Sequence, residues 1–225
     1  MAEHNQPLNL PSTHAKDRFK GRTIIITGGA GNIGRMCAVR MAKEGANVVI
    51  FDLPRLQDQM DEVVHELEGY GVQALGVGCD VTNEANVAEA VDKAVAKFNN
   101  IHYLFNNAGY QGLFTKTDSY PLSDFKLVMD INVTGVFNVL SAVVKHFKEK
   151  SIPGVIVNTA SMAGVHSPPN MIAYATSKAA VLGMTRVAAK DLAPLGIRVN
   201  AISPAYIGPG NSFLKSFNLF AMVYI

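Results

Sequence analysis

Residues Ile24 to Gly34 read IIITGGAGNIG, and this stretch decides the fold predicted for the chain. Three β-branched residues in a row indicate a buried strand. A helical pattern of apolar residues begins near Ile33 and stops at Gly45. The glycines between strand and helix let the backbone bring its N–H groups close to a phosphate at a helix N-terminus. A tight strand–helix turn alone needs one glycine, so the stretch predicts a dinucleotide-binding turn.

The same alternation of strand and helix continues to about residue 202. Further strands are predicted at 48–51, 74–77, 101–105, 155–157 and 197–202, with helices at 33–44, 56–67, 85–98, 123–148 and 171–193. Most of these strands are apolar throughout rather than alternating, which is typical of a parallel sheet covered by helices on both faces. We therefore predict an α/β fold, a doubly wound, Rossmann-like parallel sheet in a single domain.

Composition favours one packed domain and argues against several classes of protein. The 225 residues are 48% hydrophobic and 17% charged, and the net charge of +2 gives no electrostatic case for nucleic acid or an anionic membrane. No apolar run has the length of a membrane span, and the first twenty residues lack the apolar segment of a signal peptide. The two cysteines and six histidines form no metal-binding motif. We therefore predict no metal, reduced thiols and a cytoplasmic location.

Polar and small residues close the next strands, at the edge of the sheet where a dinucleotide would lie. Asp52 follows the second strand, where a carboxylate can bond the adenosine ribose and repel a 2′-phosphate, which favours NAD over NADP. Two alternatives stay open, namely that Asp52 only caps the strand and that Arg55 weakens the preference. Asp80 follows the third strand, either beside the adenine or as a helix cap. Asn107 to Gly109 follow the fourth strand.

A second motif lies between Ser161 and Lys178. Pro168 and Pro169 precede a predicted helix, on which Tyr174 and Lys178 share one face because they are four residues apart. An ammonium about 4 Å from a phenol would favour the phenolate by roughly 4 kcal/mol at an effective dielectric of about 20. Such a tyrosine could act as an acid or a base near neutral pH. Taken alone, the pair is more readily interpreted as a solvated lysine one turn from a packed tyrosine.

Together these motifs resemble the short-chain dehydrogenase/reductase family. The resemblance covers about residues 20–210 and rests on the glycine-rich turn, the string NNAG that ends at Gly109, Ser161, and Tyr174-x-x-x-Lys178. Longer strings, among them FNNAGYQG from Phe105 and NTASMAGV from 158, are similar to those of the NAD-dependent xylitol (polyol) dehydrogenases of that family.

The resemblance implies hydride transfer between a secondary alcohol, such as the polyol xylitol, and NAD. Tyr174 would be the acid/base, Lys178 would lower its pKa and bind the nicotinamide ribose, and Ser161 would orient the reacting oxygen. Asn132 would hold a water that links Lys178 to solvent, although without the family it is better interpreted as an ordinary helix amide. The implied cofactor contacts are Gly28, Gly31, Asn32, Ile33, Gly34, Asp52, Leu53, Asp80, Val81, Asn107, Ala108, Gly109, Tyr174, Lys178, Pro204 and Ile207. The expected substrate pocket includes Tyr110, Gln111, Met162, Ala163 and Val165, whereas His166 is favoured as a surface residue of the loop.

The chain departs from the family in the glycine turn and at its end. Asn32 stands where the family usually has a glycine, and asparagine tolerates a left-handed backbone, so we expect the turn to be preserved. After Gly210 the resemblance ends, and we expect the family's last helix and seventh strand to be absent. The predicted organisation is a flexible arm at 1–20, a catalytic domain at 21–210 and an apolar tail at 211–225. An exposed tail is favoured over one that pairs with the sixth strand.

Two other interpretations are weighed against a working dehydrogenase. The first is a truncated member of the same family that binds NAD with little or no turnover. The second is a sugar-nucleotide epimerase, whose turn often has the spacing of Gly28, Gly31 and Gly34, but this chain has no room for the C-terminal substrate domain of that class. The resemblance also implies a homodimer formed through the helices at 123–148 and 171–193, and a small alcohol or ketone as the partner.

Overall fold

The computed structural model describes residues 17–205 and the backbone of Val223 and Tyr224. Ile207, predicted as a cofactor contact, lies outside the described residues, as do residues 1–16 of the predicted arm and all of the predicted tail except residues 223 and 224. Residues 17–20, which we predicted as part of the arm, contact the domain. The N–H of Phe19 donates to the carbonyl oxygen of Glu44 at 2.8 Å, and its ring packs edge-on against Tyr103 with 5.5 Å between centroids. The packed domain therefore begins before residue 21.

Six parallel strands form the predicted doubly wound sheet. They are β1 Thr23–Thr27, β2 Asn47–Asp52, β3 Ala74–Gly78, β4 Tyr103–Asn106, β5 Val155–Thr159 and β6 Arg198–Ser203. They lie in the order β3-β2-β1-β4-β5-β6, and each neighbouring pair is parallel. The strand order reverses between β1 and β4, so their carboxyl ends open into one crevice, where a ligand of such a sheet is expected to bind.

Helices cover both faces of the sheet, as the apolar strands predict. They are α1 Asn32–Lys43, α2 Gln57–Glu68, α3 Glu84–Phe98, α4 Leu122–Met129, α5 Gly135–Glu149, α6 Ala163–His166 and α7 Ile172–Leu192. Successive residues of β1 face opposite sides: Ile25 packs with buried residues of α3 and α5, whereas Ile24 and Ile26 pack with buried residues of α1 and α2. Burial on both faces explains why the strands read as unbroken apolar runs. The short helix α6 was not predicted.

The helix predicted at 123–148 is not a regular α-helix throughout. A π-helical turn at Asp130–Thr134 joins α4 to α5. Such a turn adds one residue to the helical repeat and is frequent at functional sites. Here it carries Asn132, whose side chain is fully buried.

Contrary to the expectation that no apolar run has the length of a membrane span, the segment Leu122–Glu149 is long and apolar enough to cross a membrane, since one 18-residue window within it has a mean hydropathy of 1.7. Length and composition are weak evidence, because the core helix of a folded domain passes the same test. In this segment Val139, Val143 and Phe147 are buried against the sheet. The observed packing therefore accounts for its apolar composition.

A short seventh strand, β7 Val223–Tyr224, lies at the edge of the sheet. It is antiparallel to β6, with Tyr224 opposite Ile202 and Val223 opposite Ser203. Of the two outcomes weighed for the tail, the backbone of these two residues therefore adopts the less favoured one, pairing with the sixth strand. The physical reason is that the outer edge of β6 presents unpaired N–H and C=O groups, which a neighbouring extended segment satisfies.

Candidate active site

The turn between β1 and α1 is as tight as its glycines predict. Gly28 has φ +64°, in the left-handed region that favours glycine. A Cβ at Gly34 would overlap the carbonyl oxygen of Gly28 and lie 2.8 Å from the Cα of Gly29, so a larger residue would displace the backbone. Asn32 is the first residue of α1 and has a right-handed backbone. Its tolerance of the left-handed region is therefore not what preserves the turn.

Asp52 ends β2 directly beside this turn. One carboxylate oxygen accepts a hydrogen bond from the N–H of Ala30 at 3.0 Å, and the other accepts from the N–H of Leu53 at 2.9 Å. Asp52 therefore caps its strand and also ties the glycine turn to β2. This places a carboxylate at the point where the sequence predicts the adenosine ribose.

Asp80 and Val81 lie at the end of the next strand, β3. The Asp80 carboxylate accepts from both the N–H and the hydroxyl of Thr82, at 2.9 and 2.7 Å. The helix that follows is capped instead by Asn83, which accepts from the N–H of Asn86. Asp80 therefore stabilises the turn after β3 and is not the cap of α3.

The ends of β1 and β4 are joined through the side chain of Thr27. Its hydroxyl oxygen accepts from the N–H of Asn107 at 2.8 Å and from the N–H of Ala108 at 2.9 Å. A Cβ at Gly28 would lie 3.0 Å from the Cα of Ala108. The glycine turn and the segment after β4 are therefore in contact across the crevice.

Lys178 is a buried cation on α7. Its side chain is 2% exposed, and its Nζ donates to the carbonyl oxygen of Thr159, at the end of β5, over 2.7 Å. Burial lowers the pKa of Lys178 to about 8. An amine with this pKa is only partly charged at mildly alkaline pH, so its protonation state can respond to a charge that arrives beside it.

Tyr174 is one turn before Lys178, as the spacing predicts. Burial raises the pKa of the Tyr174 phenol, and a hydrogen bond with the Ser161 side chain opposes that effect. The expectation that Lys178 lowers this pKa is not met in the structure. The reason is the position of the ammonium. It lies 5.6 Å from the centroid of the Tyr174 ring and donates a hydrogen bond to the carbonyl oxygen of Thr159.

Asn132 is held by three hydrogen bonds and not by its own helix. Its Nδ2 donates to the carbonyl oxygen of Tyr110 at 2.8 Å and to the hydroxyl of Ser177 at 2.9 Å. Its Oδ1 accepts from the N–H of Tyr110 at 2.7 Å. A Cβ at Gly109 would lie 3.2 Å from this Oδ1 and 3.4 Å from the Nζ of Lys178. Asn132 and Lys178 therefore flank the same glycine.

Comparison with known proteins agrees with this geometry. The family model described as short chain dehydrogenase matches residues 22–213. This chain belongs to the short-chain dehydrogenase family. It is 36% identical over 192 residues to L-2,3-butanediol dehydrogenase of Corynebacterium glutamicum, across 84% of this chain and 73% of that protein. It is also 36% identical to levodione reductase of Leifsonia aquatica, across 84% and 71% of the two chains.

Solved structures of short-chain dehydrogenases superpose closely on the chain. NAD⁺-bound xylitol dehydrogenase is 49% identical, with a TM-score of 0.83, over 86% of this chain and 73% of that one. Carveol dehydrogenase from Mycobacterium avium in complex with NAD is 29% identical, with a TM-score of 0.80. The resemblance stated from the motifs is thus confirmed at the level of the family and its fold.

Three of the predicted substrate residues of this short-chain dehydrogenase, Met162, Ala163 and Val165, lie at α6, whereas Tyr110 and Gln111 lie in the segment after β4. A Cβ at Gly164 would lie 2.7 Å from the backbone of Lys178, so α6 packs directly on α7. Val165 is 49% exposed and His166 is exposed on the surface. The N–H of Met162 donates to the carbonyl oxygen of Pro204 at 3.0 Å, and this bond brings the end of β6 to the same place.

Three residues that position the site were not predicted from the sequence. They are Thr27, Thr159 and Ser177, which hold Asn107, Lys178 and Asn132 respectively. Each acts on a residue that is distant along the chain, so no local pattern marks it. The only available signals were the strand-end positions of the two threonines and the place of Ser177 one residue before the lysine.

Proposed function

We propose that this short-chain dehydrogenase is an NAD-dependent oxidoreductase that transfers a hydride between a secondary alcohol and NAD. The observation that carries the proposal is the gathering of Asn132, Tyr174 and Lys178 beside the glycine turn. They come from a π-helical turn and α7, and all meet at the carboxyl ends of β4 and β5. An acid/base, a buried amine and a dinucleotide crevice together suit hydride transfer coupled to proton transfer.

The crevice between β1 and β4 fits a dinucleotide. The left-handed Gly28 and the close approach at Gly34 leave a turn without side chains at the start of α1, where phosphate groups are favoured. Asp52, at the end of β2, would accept a hydrogen bond from a ribose hydroxyl and repel a 2′-phosphate, which supports NAD over NADP. Asn107 to Gly109 lie directly across the crevice from the turn.

Each residue of the site has a separate part in the proposed reaction. When bound, NAD supplies the hydride acceptor and a positive charge. Tyr174 accepts the proton of the alcohol, and its bond with Ser161 favours the phenolate that burial disfavours. Lys178 adds the positive charge of its buried amine and bonds the ribose. Asn132 keeps the segment at Gly109 in place beside that amine.

The proposed substrate class is a secondary alcohol, with a polyol such as xylitol as the first candidate. Its support is the 49% identity to a xylitol dehydrogenase and the strings shared with that group. Other relatives are named for a diol and for levodione. A panel of xylitol, 2,3-butanediol and a cyclic alcohol therefore covers the chemistry that these relatives indicate.

The decisive variant is Tyr174→Phe, which removes the phenol and keeps the ring. We expect turnover to fall by at least about tenfold, since acid–base catalysis is usually worth a factor of about 10²–10⁴. Affinity for NAD should stay within a few fold. The matched control is Tyr70→Phe, since Tyr70 is 41% exposed and lies at the end of α2. NADH formation is followed at several alcohol concentrations.

Two results would contradict parts of this proposal. A Tyr174→Phe variant that keeps more than about a tenth of the rate would remove Tyr174 from the chemistry. Tight binding of NAD without turnover on any alcohol of the panel would instead support the alternative interpretation, a weakly active or inactive NAD-binding member of the family.

We also propose a homodimer formed through α4, α5 and α7. Large apolar side chains are exposed on these helices, including Leu122 at 66%, Phe137 at 54% and Val187 at 60%. Exposed apolar groups of this size on neighbouring helices favour burial against a partner. A cytoplasmic location remains a prediction from composition.

A further inference from the structure

The segment from Gly109 to Thr115, here called the β4 loop, begins and ends at the proposed active site. At its start, both backbone groups of Tyr110 are bonded to Asn132. At its end, the N–H of Thr115 donates to the carbonyl oxygen of Asn170 at 3.1 Å, four residues before Tyr174. The loop therefore forms one wall of the space in front of the catalytic pair.

The middle of the β4 loop is fastened by one carboxylate, that of Asp124 in the first turn of α4. One oxygen accepts from the hydroxyl of Tyr120 at 2.5 Å and from the N–H of Leu113 at 3.0 Å. The other accepts from the hydroxyl of Tyr110 at 3.1 Å. Three donors, two of them from the loop, therefore converge on a single side chain.

The backbone of the loop is shaped to this carboxylate. Gly112 has φ +74°, a conformation that favours glycine. A Cβ there would lie 2.5 Å from the hydroxyl oxygen of Tyr120, 2.6 Å from the side chain of Val128 and 2.9 Å from Asp124. The loop thus lies in direct contact with α4, which leaves no room for a side chain at this position.

The protonation states of the cluster are compatible with the observed bonds at neutral pH. The hydrogen bond from Tyr120, followed by that from the N–H of Leu113, lowers the pKa of the Asp124 carboxyl. Burial and the bond with Asp124 raise the pKa of Tyr120 to about 12. Asp124 therefore remains an acceptor and Tyr120 a donor over the whole range in which a dehydrogenase would be assayed.

We propose that Asp124 is a positioning residue that sets substrate affinity by fixing the β4 loop. The inference rests on the proposed function, since it assigns the wall of that same site. The loop displays Leu113, 47% exposed, and Phe114, 60% exposed. Asn132 keeps its separate bond with Ser177 when the loop is loosened. The effect therefore falls on KM for the alcohol and not on the proton transfer at Tyr174.

The test compares Asp124→Ala with Asp118→Ala, which removes the same charge from an exposed position outside the cluster. Tyr120→Phe leaves the carboxylate in place and removes the hydroxyl, with its 2.5 Å bond to Asp124 and its 3.1 Å bond from the N–H of Leu113, and serves as a milder second variant. Hydrogen exchange of the loop amides and steady-state kinetics with xylitol and 2,3-butanediol are measured on each protein. Circular dichroism and the dissociation constant for NAD check that each variant is folded.

In Asp124→Ala we expect the Leu113 amide to exchange at least about tenfold faster, because it loses its carboxylate acceptor and its other acceptor, the Tyr120 hydroxyl at 3.1 Å, loses the bond that holds it in place. KM for the alcohol should rise about threefold or more, with kcat within about twofold. Tyr120→Phe should show the same pattern with smaller changes, and Asp118→Ala should resemble the unmodified chain. The dissociation constant for NAD should be unchanged in all three.

Unchanged exchange at Leu113 in Asp124→Ala overturns the proposal, whether or not the chain turns over. A fall in kcat at constant KM also overturns it, because Asp124 would then act on the chemistry through Asn132. An unmodified chain that turns over no alcohol contradicts the proposed function instead. In that case exchange at Leu113 still decides whether Asp124 fastens the loop.

Discussion

Replacement of Lys178 by methionine separates the cost of a buried charge from its use in the reaction. The lysine is 2% exposed and its pKa is lowered by burial from 10.5 to about 8. At about 1.4 kcal/mol for each pKa unit, this corresponds to roughly 3 kcal/mol against the ammonium in the folded state. The hydrogen bond from the charged amine to the carbonyl oxygen of Thr159 stabilises the buried ammonium by about 1.5–3 kcal/mol.

These opposing terms nearly cancel, and methionine has a similar length without the charge. We therefore expect the free energy of unfolding of Lys178→Met at pH 7 to lie within about 1 kcal/mol of the unmodified chain. Truncation of a well-packed apolar side chain would instead cost about 2–5 kcal/mol. Turnover should be lost in the same variant, because the buried amine is proposed to act in the reaction.

The dependence on pH gives the sharper measurement. Between about pH 8 and 10.5 the unfolded chain keeps Lys178 protonated while the folded chain releases the proton. For this group the unfolded state then binds more protons, so Lys178 makes the free energy of unfolding rise with pH, by at most about 1.4 kcal/mol per pH unit. Cys37 and Cys79, whose pKa values are raised by burial to about 11 and about 12, contribute in the opposite direction in both chains. Lys178→Met lacks the lysine contribution, so its free energy of unfolding should change with pH by a less positive slope than that of the unmodified chain.

Urea unfolding at pH 7.5, 8.5 and 9.5 measures this difference below the range in which ordinary tyrosines titrate. Lys190→Met is the matched control, since Lys190 is exposed on the same helix. It should follow the unmodified chain at each pH. Equal pH slopes for Lys178→Met and the unmodified chain would refute the reasoning, since Lys178 would then not be buried as a charge.

Three further predictions address the cofactor, the turn and the assembly. Asp52→Ala should narrow the ratio of the dissociation constants for NADP and NAD, and equal constants in the unmodified chain would contradict the role of the carboxylate. Gly34→Ala should lower the free energy of unfolding by about 1–3 kcal/mol and weaken NAD binding. The control is Gly183→Ala, where an added Cβ meets no atom within 4 Å, and this variant should raise the free energy of unfolding by up to about 1 kcal/mol. Sedimentation should show a dimer, and Phe137→Glu should shift it to a monomer; a monomeric unmodified chain would contradict the proposed interface.

The six parallel strands of the sheet were predictable because each of them is marked by a short apolar run in the local sequence. Ile24 to Ile26 are buried on both faces, and Gly34 is required by a contact only six residues away. The π-helical turn at Asp130–Thr134 was not predictable in this way. The helical pattern of the sequence continues through it, while the bonds that Asn132 makes within the turn are with Tyr110 and Ser177, which are 22 and 45 residues away.

Tyr174 and Lys178 show the same limit of prediction from sequence, here for the position of a single charged group. The spacing of Tyr174 and Lys178 predicts that they share a face of α7, and this is where the structure places them. Spacing does not fix the end of a flexible lysine side chain, which here is set by the carbonyl oxygen of Thr159 on another strand. The electrostatic effect on the phenol is therefore a property of the folded site and not of the motif.

The short strand β7 shows how a weak local preference is decided by its neighbour. The apolar composition of residues 219–225 is compatible with an extended segment but does not predict which strand it pairs with. On its inner side β6 pairs with β5, and the N–H of Ala160, directly after β5, donates to the carbonyl oxygen of Ile202 in β6. Tyr224 and Val223 pair with Ile202 and Ser203 from the other side. Because Pro204 follows at once and accepts from Met162 in the candidate active site, this pairing covers the part of β6 that leads into the site.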